Sequence, residues 1–161
     1  MSTTYNTADL YDDFGAVVQT SKQTFRDFGA KSHFHGQIRT VVCLNDNVLL
    51  KQTLSEKSDG GVLVVDAGGS FDVAVMGDNV AALGVENGWS GIIINGCVRD
   101  SVELGTMQFG IKALGNVPAK STKVGKGAVD VPVTFGAVLF EVGQWVYCDQ
   151  DGILVANEAI H

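Results

Sequence analysis

The chain has 161 residues, 45% hydrophobic and 18% charged, with a formal net charge of −7. That length suits a single domain over residues 1–161, and it buries roughly two thirds of its unfolded surface, so neither a disordered chain nor a disulfide-stapled miniature is expected. No apolar run approaches the ~20 residues that span a bilayer. MSTTYNTADLYDDFG at the start has neither the basic nor the apolar region of a secretory signal, so a cytoplasmic protein without a membrane partner is expected. Basic side chains are scattered, Lys120, Lys123 and Lys126 being the tightest group, and the negative balance repels phosphate backbones. Direct nucleic-acid binding is therefore not expected, while a basic protein partner remains compatible. Cys43, Cys97 and Cys148 match no zinc spacing and no paired framework, and they fit reduced thiols.

In chain order, Thr7 to Asp13 reads as a short helix with Thr7 as its N-cap and acids in its first turns. Gly36–Leu44 is β-branched and strand-like, and Val48–Lys57 reads as an amphipathic helix broken by Asp59-Gly60-Gly61. Val62–Asp66 (VLVVD) is a continuous apolar run, the pattern of a strand buried on both faces, and Ala67–Ser70 is a tight loop at its carboxyl end. Asn79–Glu86 reads as a helix closed by Asn87-Gly88, and Gly91–Asn95 (GIIIN) as a second buried strand. Helix, strand, helix, strand predicts a parallel, right-handed crossover. Beyond Asp100, strands are predicted at Phe109–Leu114, Val131–Phe140, Gly143–Cys148 and Ile153–Ala156, with a hairpin turn at Asp151-Gly152. The fold class is α/β, a partly parallel half with a strand-rich half folded over it.

Met76–Glu103 concentrates the chemistry. A helix capped at Gly77 or Asp78 presents the N–H groups of Asn79, Val80 and Ala81 at the positive end of its dipole, a cradle for a carboxylate or phosphate. Ligands in open α/β folds bind at the carboxyl ends of strands, where Arg99 and Asp100 follow GIIIN. Arg99 can fix an anionic oxygen, and Asp100 can hold a hard, hydrated divalent cation that needs few protein carboxylates. Plainer readings stand beside these: Asp78 as a simple cap, Arg99-Asp100 as an exposed polar turn, Glu103 as a complement to a helix beginning at Ser101.

Other residues carry weaker signals. His33 and His35 alternate as on one strand face, but with no carboxylate near them in sequence a packing or surface role is the better reading. Gly68-Gly69-Ser70 has no dinucleotide or Walker spacing. Cys97 has no neighbouring histidine and reads as a buried thiol. Gly125-Lys126-Gly127 reads as a mobile turn, and Trp89 and Trp145 as core or subunit contacts.

Over nearly its whole length the chain resembles the regulator of ribonuclease activity A family, which also contains the class II 4-hydroxy-4-methyl-2-oxoglutarate (HMG/CHA) aldolases. The resemblance is carried by GQIRTVVC at Gly36–Cys43, VLVVDAGGS at Val62–Ser70 and MGDNVAALGVENGWSGIIINGCVRD at Met76–Asp100. VTFGAVLF at Val133–Phe140 and YCDQDGILV at Tyr147–Val155 continue it. It implies a layered α/β/β/α sandwich, similar to the phosphohistidine swivelling domain, and ring-shaped homotrimers with sites near subunit interfaces. The aldolase branch is marked by an acid, twenty spacers, Arg-Asp, two spacers and an acid. Here these are Asp78, Arg99-Asp100 and Glu103.

The resemblance implies metal-dependent retro-aldol cleavage of a small 2-oxo acid giving pyruvate, with oxaloacetate decarboxylation as a related activity. Gly77, Asp78, Asn79 and Val80 would bind the substrate carboxylate, and Arg99 would stabilise the enolate. Asp100 would anchor Mg2+ or Mn2+ through water, with Asp78 and Glu103 orienting metal waters. No Schiff-base lysine is required. The alternative is the family's regulator branch, non-catalytic proteins that bind ribonuclease E and inhibit RNA processing. That branch lacks the acid after the arginine, whereas Asp100 is present here. The short length resembles the regulators, and the chain ends at His161 without the extension by which longer aldolases lend an acid to a neighbouring site. A phosphohistidine carrier, using His33 or His35, is the remote third reading.

Overall fold

Continuous β-branched runs build the centre of one mixed sheet. The computed structural model describes residues 5–161. Its first elements are α1 (Thr7–Phe14), β1 (Val18–Thr20), β2 (Arg26–Asp27), β3 (Phe34–Val42), α2 (Val48–Leu54), β4 (Val62–Asp66) and β5 (Ala74–Met76). Then come α3 (Asp78–Glu86), β6 (Gly91–Val98), α4 (Ser101–Leu104), β7 (Gly110–Asn116) and β8 (Ala128–Val129). The last are β9 (Val133–Phe135), β10 (Val138–Phe140), β11 (Trp145–Asp149) and β12 (Gly152–Ala156).

Strands β3, β4, β6 and β7 lie side by side and parallel, as the crossover pattern predicts, and β5 pairs with the end of β6. The C-terminal strands extend this sheet. β11 adds antiparallel to β3, followed by β12 and β1, while β2 closes the far edge beside β7.

Strand alternation explains the unbroken hydrophobic runs. Leu63, Val65, Ile92 and Ile94 face a core completed by Leu50 and Leu54 of α2 and Ala81 of α3. Val62, Val64 and Ile93 face the other way, onto the β9–β10 hairpin through Val133, Phe135, Val138 and Phe140. Both faces are covered, so both sets of positions must be apolar. Phe34 lies over Gly91 and Gly110, where any β-carbon would collide with its ring. The fold is therefore mixed α/β, and no helix among the described residues is long and apolar enough to cross a membrane.

Several local readings are corrected. Val131–Phe140 is not one strand but a hairpin, turned by Gly136 and Ala137 with φ of 59° and 62°. Paired positive φ values are what a tight two-residue hairpin needs. Thr7 is the first helical residue and not the N-cap, which is Asn6. Its N–H and hydroxyl both donate to the buried Asp149 carboxylate at 2.7 Å, fastening α1 to the end of β11. α2 stops at Leu54 rather than Lys57, and the Glu56 carbonyl instead accepts the Trp89 indole N–H at 3.0 Å. β6 runs past Asn95 to Val98, through a register shift between Ile94 and Cys97. The β11–β12 turn is Gln150-Asp151, with Gly152 opening the second strand.

Candidate functional site

The extra length of β6 decides where Arg99 and Asp100 fall. Arg99 donates its backbone N–H to the Met76 carbonyl at 2.9 Å, so the end of β6 is tied beside the start of α3. Asp100 adopts a left-handed conformation, φ 60° and ψ 44°, which turns the chain into α4 and brings its side chain back toward α3. There its Oδ2 accepts the Asp78 N–H at 3.0 Å. A β-carbon on Gly77 would collide with this oxygen, so the glycine is what lets the carboxylate approach. The two ends of Met76–Asp100, distant in sequence, thus meet through a backbone hydrogen bond and a carboxylate–amide hydrogen bond.

They open onto a cleft of about 170 Å³ at the carboxyl ends of the parallel strands. Gly77, Asp78, Asn79, Val80, Arg99 and Asp100 all line it. Three corrections apply. The Ala81 N–H is engaged by the Gly77 carbonyl at 3.1 Å, so the cradle is shorter than expected. The Asn79 N–H lies 2.8 Å from the Asp78 Oδ1, so Asp78 shields part of it. Glu103 is exposed on α4 and does not line the cleft, because the turn at Asp100 carries it outward.

Lysines complete the wall, and sequence reasoning missed them there. Lys51 from α2 and Lys120 and Lys123 from segment 117–127 line the same cleft, with Asn47 and Ser121 between them. With Arg99 they put four cations against the two carboxylates of Asp78 and Asp100. The cleft is thus locally positive on a chain of net charge −7. Lys120, Lys123 and Lys126 stand out as a group in the sequence, but nothing local says that Lys120 and Lys123 fold back beside Arg99.

The donor set suits one kind of cation only. Among the described residues no group of three or more His, Cys, Asp and Glu side chains could hold a metal ion. Two carboxylates at one rim fit a hard ion that keeps several waters, such as Mg2+ or Mn2+, and not a zinc-type cage. Thiolates are disfavoured: burial first, then Asp46 and Asp66, pushes Cys43 up to about 12, and burial raises Cys97 and Cys148.

A second cavity, about 350 Å³, lies at the opposite ends of the same strands and gathers His33, His35 and His161 with Tyr5, Lys31 and Trp145. His35 stacks on Tyr147 with ring centres 5.6 Å apart, and His161 approaches His35 to 4.8 Å. Burial first, then His161 and Lys31, holds the His35 imidazole below its ordinary value. His33 turns away to Asn6 at 3.2 Å. The two histidines therefore do not act as one pair, and His35 is a packed ring.

Comparison with known proteins places these features in a lineage. A family model described as RraA-like, Aldolase/RraA, matches residues 7–155. The chain belongs to the Aldolase/RraA family. Among relatives of this Aldolase/RraA protein, one from Alkalilimnicola ehrlichii is provisionally named a 4-hydroxy-4-methyl-2-oxoglutarate aldolase. It is 49% identical over 154 residues, 96% of each chain. A crystal structure from Geobacillus kaustophilus, titled S-adenosylmethionine:2-dimethylmenaquinone methyltransferase, is 46% identical, covers 97% of each chain and superposes with a TM-score of 0.96. The RNA-processing inhibitor RraA of Thermus thermophilis is 37% identical, with 99% of this chain and 96% of that one covered and a TM-score of 0.95. The three names describe three different activities on one fold, so function has to be argued from the cleft.

Proposed function

We propose that this Aldolase/RraA protein is a divalent-metal-dependent lyase. It would cleave 4-hydroxy-4-methyl-2-oxoglutarate or a similar 2-oxo diacid to pyruvate and decarboxylate oxaloacetate as a related activity. The observation that carries the reading is the convergence of the α3 N-terminus, Arg99, Asp100 and three lysines on one small cleft. Its volume of about 170 Å³ lies below the ~300–1,000 Å³ of drug-sized ligand pockets, which favours a compact acid over a nucleotide-sized cofactor.

The proposed reaction uses these groups in order. The α3 N-terminus, chiefly through the Val80 amide, orients the carboxylate next to the 2-oxo group. Lys51, Lys120 and Lys123 hold the far carboxylate. As the 4-hydroxyl gives its proton to water, the bond between carbons 3 and 4 breaks and carbon 4 becomes the carbonyl of one pyruvate. The electron pair moves toward the 2-oxo oxygen as an enolate, which takes a proton from water at carbon 3 to give the second. Arg99 stabilises the charge developing on the 2-oxo oxygen, the kind of fixed electrostatic complement that accelerates such steps most. Asp100, with Asp78, would hold Mg2+ or Mn2+ through water, and the bound ion would supply Lewis acidity toward the 2-oxo acid. A homotrimer working in the cytosol belongs to the same proposal.

A coupled pyruvate-release assay with Mg2+ and either substrate tests it. Turnover by the wild type and its collapse in Arg99→Ala and Asp100→Ala are expected. No turnover, or equal turnover in the variants, would sink the reading. The second reading, a protein that binds ribonuclease E and inhibits RNA processing, is favoured by the 37% identity to the Thermus inhibitor. Pull-down and RNA-cleavage inhibition at low salt test it, and absence of binding there removes it.

A further inference from the structure

The cationic wall of the cleft stands on a residue that does not line it. Lys120 and Lys123 are exposed, lie on an irregular segment, and sit beside Lys51 and Arg99, whose like charges repel them. Beneath this segment Asp46 is only 1% exposed. Its carboxylate accepts the Val124 N–H at 2.6 Å, the Gly125 N–H at 3.1 Å, the Val48 N–H at 3.1 Å and the Thr122 hydroxyl at 2.9 Å. One buried charge therefore joins the lysine segment to the start of α2, the helix that carries Lys51. The neighbouring Asn47 side chain accepts the Lys123 Nζ at 3.4 Å, and the Thr122 N–H donates to the Asn45 carbonyl at 2.9 Å. Farther along the cleft, the Ala119 carbonyl accepts the Ala74 N–H at 2.8 Å. Gly127 is pressed against the Val42 carbonyl, with no room for a β-carbon, so the turn expected to be mobile is held at its far side.

We propose that Asp46 is the positioning residue of the anion cleft. It holds Lys120 and Lys123 in place beside Lys51 and Arg99 against their mutual repulsion, and so sets the affinity for the substrate's far carboxylate without touching it. Burial alone would raise the Asp46 carboxyl. The N–H groups of Val124 and Val48, the Thr122 hydroxyl and the Gly125 N–H outweigh burial and hold it below its ordinary value, so it stays ionised under the lysines. An asparagine would turn a donor toward donors and remove the charge.

The inference rests on reading the cleft as an anion site, and its test needs no turnover. Oxalate, a small planar dianion, is titrated into the metal-free protein and its dissociation constant measured by calorimetry at two ionic strengths. The proteins are wild type, Asp46→Asn, Lys120→Ala/Lys123→Ala, and the triple variant. Asp46→Asn is expected to weaken oxalate about tenfold, ~1.4 kcal/mol, and to flatten the salt dependence. In the double-lysine background it is expected to add nothing, the signature of a residue acting through those lysines. Thr122→Val removes one of the same hydrogen bonds from an exposed position and is expected to weaken oxalate two- to threefold. It decides the matter should Asp46→Asn fail to fold. Unchanged oxalate affinity in these variants, a tenfold loss that persists without the lysines, or a wild type that does not bind oxalate overturns the inference. Oxalate binding with this pattern but without pyruvate release retains it and discards the lyase.

Discussion

The two ends of the parallel strands carry cavities of opposite character. The amino end has the larger one, about 350 Å³, walled by stacked rings whose central imidazole is held below its ordinary value by burial. The carboxyl end has the smaller, about 170 Å³, walled by four cations and two carboxylates. Size alone would favour the amino end. Charges that converge from separate elements distinguish a place for chemistry, whereas rings that satisfy one another distinguish a place for packing.

Substitutions that separate activity from stability test this contrast. The largest effect is expected for Arg99→Ala, which should lower kcat by about 10²–10³, as loss of one fixed oxyanion partner does. His35→Ala, at the other end, should leave pyruvate release within about twofold. Equal losses in the two variants would erase the distinction. Next, Asp149→Ala should cost about 3 kcal/mol in urea unfolding, because Thr7 and Asp151 lose a buried charged acceptor, with kcat retained. Gly77→Ala should do the reverse. Its φ of −123° suits alanine, so the midpoint of unfolding should hold, while displacement of Asp100 should cut kcat by about 10²-fold.

The smallest effect is a pH response that divides by end. His35 is lowered from 6.5 in the folded state, so the unfolded chain takes up the proton first. Its contribution is complete above pH 6.5 and is lost as pH falls toward the folded value. Asp46 and Asp149 are lowered from 3.8, and their contributions persist down to that region and disappear as pH falls through their folded values. Differential scanning between about pH 7.5 and 5.5 should show a fall in Tm that is smaller in His35→Gln. An identical fall in that variant would assign the response elsewhere.

The sequence disclosed the interior of this molecule better than its edges. VLVVD and GIIIN announced parallel buried strands because both faces of the sheet are covered, and Asn87-Gly88 marked the end of α3, with Gly88 at φ 87°. The hairpin at Gly136-Ala137 was hidden because alanine is an uncommon residue at positive φ. Thr7 was misread because its partner, Asp149, is 142 residues away. At the cleft, Arg99, Asp100 and the start of α3 were legible as strand-end and helix-start positions. The lysines were not, since their placement depends on a loop fixed by Asp46 from a remote part of the chain. Glu103 was assigned from the helix starting at Ser101 and the resemblance's closing acid, and the left-handed turn at Asp100 leaves it outside the cleft lining.

That left-handed residue sets how freely the fold can exchange one kind of work for another. At φ 60°, asparagine is as comfortable as aspartate and glycine more so, and asparagine keeps an oxygen for the Asp78 N–H. Removing the charge at position 100 therefore leaves the backbone path of the strand and turn intact. The backbone at position 100 thus tolerates a neutral residue, which suits a lineage with both lyase-named and inhibitor-named members.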